Sequence, residues 1–108
     1  MGKYMFVKEE SVYVALHQVI DPELFINIVD LGLIYEVNVR EINGQFHVVV
    51  KMTMTSPACP AGPELMQAVK DVVQEIDGVE DADVELVMSP PWTPDRMTEE
   101  ARDELGMY

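Results

Sequence analysis

Two alternating runs of residues meet at Asn43-Gly44. Before it, Tyr35, Val37 and Val39 fall on one side and Glu36, Asn38 and Arg40 on the other. After it, Phe46, Val48, Val50, Met52 and Met54 alternate with His47, Val49, Lys51, Thr53 and Thr55. A period of two marks a half-buried strand, and Asn-Gly supplies the two positive-φ positions of a tight type I′ turn. The stretch is therefore a β-hairpin. A hairpin by itself is marginal in water, so its apolar face has to be covered by other elements.

The covering elements are legible on either side. Val12, Leu16 and Val19 stand at i, i+4 and i+7 and predict a helix over Glu9–Val19. It ends by Ile20, because Pro22 pushes Asp21 out of the α region. A loop from Asp21 to about Asp30 follows. Beyond the hairpin, Ser56–Pro63 holds three prolines and a glycine in eight residues, which makes a constrained loop. Pro63 suits the first turn of a second helix, where its missing N–H costs nothing. Leu65, Val69, Val72, Val73 and Ile76 form the apolar stripe of that helix, and Gly78 is expected to end it as a C′ glycine.

Asp83–Met88 reads as a third strand, with Val84, Leu86 and Met88 on one face. Ser89–Pro94 is a second rigid loop, and Thr98 suits the N-cap of a short terminal helix. The order α-β-β-α-β-α defines a two-layer α+β fold, with helices packed on one face of a small three-stranded sheet. The second helix carries the chain back, so the third strand is expected to run parallel to the second. Which strand it lies beside stays open. A length of 108 residues suits one domain, 1–108, with a modest core and no need of a disulfide or structural metal.

Charge excludes some functions. The formal net charge of −13 argues against nucleic acid and anionic membrane surfaces, both of which need Lys and Arg. From Asp71 onward twelve residues are acidic and two basic. That half is either a solvated acidic face or a docking surface for a basic partner protein. No apolar run approaches the roughly 18–20 residues of a membrane span. Met1–Lys8 lacks the pattern of a signal peptide. A single cysteine forms no internal disulfide, which points to a reducing, cytoplasmic setting.

That cysteine, Cys59, is the main candidate for chemistry. It lies a few residues before the second helix, whose N–H groups and dipole lower a thiol pKa. Pro57, Pro60 and Pro63 stiffen its loop, and Thr55 and Ser56 carry hydroxyls able to bond a thiolate or a bound group. A free cysteine is also often just a small buried hydrophobe. Asp21, Glu23 and Asp30 cluster after the first helix, either as turn residues or, with a thiolate, as ligands for iron or zinc. His17 and His47 have no metal-finger spacing. Met52, Met54, Met66 and Met88 read as core. Trp92, between prolines, either buries its ring with the indole N–H satisfied or anchors a partner. No phosphate loop, nucleophile elbow or metalloprotease helix is present.

Together these stretches resemble the PaaD/SufT-like iron–sulfur cluster assembly proteins. Val19-Ile20-Asp21-Pro22-Glu23-Leu24 with Ile28-Val29-Asp30-Leu31-Gly32-Leu33-Ile34-Tyr35 is similar to that family's opening signature. Thr55-Ser56-Pro57-Ala58-Cys59-Pro60 resembles its cysteine loop, and Pro90-Pro91-Trp92-Thr93-Pro94-Asp95 with Met97 its C-terminal loop. The likeness covers about residues 10–106 in one collinear pass. It implies a compact α+β maturation factor without turnover, with Cys59 as transient ligand of iron or a cluster, and Asp21 and Glu23 as further metal ligands. Thr55, Ser56 and Asp30 would support them, and no cofactor would be tightly bound. Partners would be the iron–sulfur assembly machinery or an apo client. Ser56 stands where many relatives have threonine, and the cysteine-rich tail of PaaD proper is missing, which favours a general SufT-like role. A cluster generally takes four protein ligands, so one thiol per chain implies sharing across a homodimer, a carrier or the client. A cysteine-dependent redox enzyme and a metal-free acidic adaptor are the competing readings.

Overall fold

The computed structural model describes residues 7–55 and 62–106. In chain order the elements are α1 (Glu9–Leu16), β1 (Ile34–Ile42), β2 (Gln45–Met52), α2 (Gly62–Gln74), β3 (Val79–Leu86) and α3 (Glu99–Glu104). A 3-10 turn, Pro94–Arg96, precedes α3. The expected α+β order is the observed one.

The hairpin forms as its pattern dictates. β1 and β2 pair antiparallel from Ile34↔Met52 to Ile42↔Gln45, and Asn43 and Gly44 turn the chain at φ of 54° and 81°. Phe46, Val48, Val50 and Met52 are buried on one face of β2, and His47, Val49 and Lys51 are half-buried on the other. β3 runs parallel to β2 and lies beside it, giving the order β1-β2-β3. The most apolar strand thus takes the centre. The outer strand β3 carries Glu80, Asp81, Asp83 and Glu85, charges that discourage pairing with another chain.

α1 and α2 cover the buried face of the sheet. Val12 and Leu16 of α1 and Leu65, Val69 and Val73 of α2 join Val48, Val50 and Met52 in one core. Each such side chain fully withdrawn from water contributes about 1.5–3 kcal/mol. Met52, Met54 and Val19 belong to this core, as their spacing suggested, and Met66 packs against it. Met88 does not. It is 50% exposed and lies past the end of the ladder, whose last pair is Met52↔Leu86, and Leu86 itself is 46% exposed.

Several boundaries differ from the sequence reading. α1 stops at Leu16, not near Val19, as the chain tightens through Gln18 N–H to Ala15 O and Val19 N–H to Leu16 O. Val19 then pairs with Ile28 through its carbonyl while its side chain stays buried. α2 ends at Gln74, four residues before Gly78. Gly78, at φ 95°, instead turns the chain into β3, and its carbonyl accepts from Phe46 N–H. β3 accordingly begins at Val79, earlier than the expected Asp83, since pairing with Phe46 starts there. Thr98 caps α3 as expected, its hydroxyl accepting from Ala101 N–H at 3.2 Å.

Candidate functional site

The segment holding Ser56 and Cys59 lies outside the described residues. Its flanks are defined. Thr53 and Met54 are buried and Thr55 half-buried on the β2 side, and buried Gly62 with exposed Pro63 opens α2 on the other.

The chain leaving β2 is tied to two other parts of the sequence. Thr53 N–H donates to Leu33 O at 2.8 Å, and Val87 N–H donates to Met52 O at 2.8 Å. Leu31, just before Leu33, accepts from the Trp92 indole N–H at 2.6 Å. Asp30 O accepts from Thr98 N–H at 2.9 Å, and Tyr35 Oη donates to Pro90 O at 2.7 Å. The guanidinium of Arg96 stacks over the Tyr35 ring, 4.5 Å from its centroid. The acidic stretch, the strand leading to Cys59 and the Trp-containing loop therefore converge at one end of the sheet.

The loop after α1 is itself a closed structure. Asp21 N–H donates to Ile26 O at 2.9 Å and Ile20 bridges Asn27, so the two ends of the loop are zipped together. Asp21 is 2% exposed. Its Oδ1 accepts from the amides of Glu23 at 2.7 Å and Leu24 at 3.1 Å, the satisfaction that a buried carboxylate requires. Glu23 is exposed.

Asp30 belongs to a second small network. Asn27 Nδ2 donates to Asp30 Oδ2 at 2.9 Å, and Asn27 Oδ1 accepts from Asp30 N–H at 2.9 Å. His17, at the end of α1, bonds Tyr13 O through Nδ1 at 2.8 Å and places Nε2 3.6 Å from Asp30 Oδ1. His47 is on the outer sheet face, 3.7 Å from Glu80. Among the described residues, no three His, Cys, Asp or Glu side chains are grouped to hold a metal ion.

Trp92 takes the half-buried position with its N–H satisfied. Asn27 and Arg96 were not singled out from the sequence, and Tyr35 entered only as a strand and signature residue. Asn27 carried a weak signal, three residues before Asp30 in a turn-rich stretch. The Tyr35–Arg96 pair has no local signal at all.

The chain belongs to the iron–sulfur cluster assembly protein family, whose model matches residues 9–86. It is 48% identical over 89 residues to the Fe-S protein maturation auxiliary factor SufT of Staphylococcus aureus, covering 82% of this chain and 98% of that protein. It is 41% identical over 99 residues to the Fe-S protein maturation auxiliary factor YitW of Bacillus subtilis, covering 92% of this chain and 94% of that one. Its fold superimposes on the crystal structure of a domain of unknown function, DUF59, from Bacillus anthracis. The TM-score is 0.84 at 40% identity, over 93% of this chain and 92% of the other. No helix among the described residues is long and apolar enough to cross a membrane.

Proposed function

We propose that this chain is a non-catalytic maturation factor that receives iron or an iron–sulfur cluster through Cys59 and passes it to an apo client protein. One observation carries the proposal: the opening signature and the C-terminal loop, far apart in sequence, are hydrogen-bonded together, and Leu33 of the former also binds Thr53, two residues before the cysteine loop begins. The cluster is cargo here. A cluster needs about four ligands and the chain offers one thiol, so a complete ligand set requires a second copy, a carrier or the client. Incomplete ligation favours transfer over retention.

In this reading Glu23, exposed beside the zipped loop, is the carboxylate available to assist the thiolate. Asp21 fixes that loop through its two amide bonds. Thr55 and Ser56 supply hydroxyls four and three positions before the thiol in sequence, and Trp92 and Asp30 brace the end of the sheet that leads to it. The partners are assembly proteins and apo clients. The test is anaerobic purification with a visible absorption spectrum and iron and sulfide analysis. Substoichiometric, Cys59-dependent iron is expected. Full iron content retained in Cys59→Ser overturns the proposal.

A further inference from the structure

We propose that Phe25 and Ile20, together with the carboxylates of Asp30, Glu100 and Glu104, form a docking surface for a partner protein that presents an apolar side chain flanked by lysine or arginine. The surface stands independently of Cys59 and goes beyond the handling of iron.

Phe25 is the least economical residue of the fold. Its ring is 79% exposed, and its backbone sits at φ 60°, the left-handed region that disfavours any side chain and suits glycine. Neither property helps the chain fold. Ile20, across the loop, is 48% exposed. Their backbone is tied down: Phe25 N–H donates to Asp21 O at 2.8 Å, within the loop that buried Asp21 and the Ile20–Asn27 bridge close. A surface ordered in advance loses little entropy on binding.

The two side chains flank a concavity of about 170 Å³ that Ile26 also lines, with Asp30, Glu100 and Glu104 around it and, among the described residues, no Lys or Arg. That is smaller than the roughly 300–1,000 Å³ of small-molecule sites, and suits a single inserted side chain. The chemistry selects the occupant. A carboxylate rim on a chain of net charge −13 repels nucleic acid and anionic lipid and steers a basic protein segment toward it. The concavity itself is mostly polar, and the exposed apolar groups are Phe25 and Ile20 at its edge; apolar contact beside a polar, solvated rim is the usual mix of a protein interface.

The probe is an eight-residue peptide with two central leucines flanked by arginines and lysines, titrated against isotope-labelled full-length protein and followed by NMR. Saturable shifts are expected at the amides of Ile20, Phe25, Asn27 and Ala101. Phe25→Gly is expected to weaken the peptide by about tenfold or more, as for an aromatic anchor, with Tm unchanged or raised because glycine relieves the backbone. The double variant Glu100→Lys, Glu104→Lys is expected to weaken it comparably, and a peptide with glutamates in place of its basic residues is expected not to bind. Shifts centred on Asp81, Asp83 and Glu85 instead, an affinity unmoved by Phe25→Gly, or no saturation at millimolar peptide would each overturn the proposal.

Discussion

A β-carbon on Gly32 would stand 2.3 Å from the backbone carbonyl oxygen of Arg96. Gly32 also has φ 77°, so conformation and close approach both demand glycine. Beside it, Trp92, Tyr35 and Thr98 join residues 90–98 to residues 30–35. The end of the sheet next to the Cys59 segment thus depends on one missing side chain.

Gly32→Ala is therefore expected to destabilise by about 2–4 kcal/mol, combining the left-handed cost with a steric clash against backbone. Thermal unfolding should show a Tm lower by roughly 10 °C or more. The emission of Trp92, the sole tryptophan, should shift to the red as the loop lifts away. An unchanged Tm and spectrum would show that the two segments separate at no cost.

Trp92→Phe keeps most of the ring area but deletes the N–H that Leu31 O accepts. A loss of about 1–2 kcal/mol is expected in urea unfolding followed by circular dichroism, since the carbonyl of buried Leu31 loses its partner. A variant as stable as the wild type would reduce this bond to an incidental contact.

Asp21 separates fold from iron. Asp21→Ala strips two amides of their acceptor and is expected to cost about 1–3 kcal/mol. Asp21→Asn retains an acceptor oxygen and is expected to stay within about 1 kcal/mol of wild type. Iron uptake by Asp21→Asn is expected to match the wild type. Loss of iron in that folded variant would make Asp21 a ligand.

The hairpin was legible because its causes are local: a period of two and an Asn-Gly turn. The ends of α1 and α2 were not, because Val19 leaves its helix to pair with Ile28 and Gly78 serves the β2–β3 ladder. Both are decided by tertiary pairing that helical spacing does not encode. Similarly, Asp21 and Trp92 stood out by residue type and neighbours. The contacts of Gly32 and Tyr35 with Arg96 join residues 64 and 61 positions apart, and no pattern in one sequence announces them. Phe25 escaped notice because a lone aromatic in a loop carries no sign of its backbone angle.

The most direct measurement is anaerobic transfer of a reconstituted cluster to an apo-ferredoxin, followed by the acceptor's visible spectrum, for wild type and Cys59→Ser. Wild type is expected to fill the acceptor faster than free iron and sulfide do, and Cys59→Ser to fall to that background rate while keeping its Tm. Equal transfer by the two folded proteins would contradict a role for the thiol.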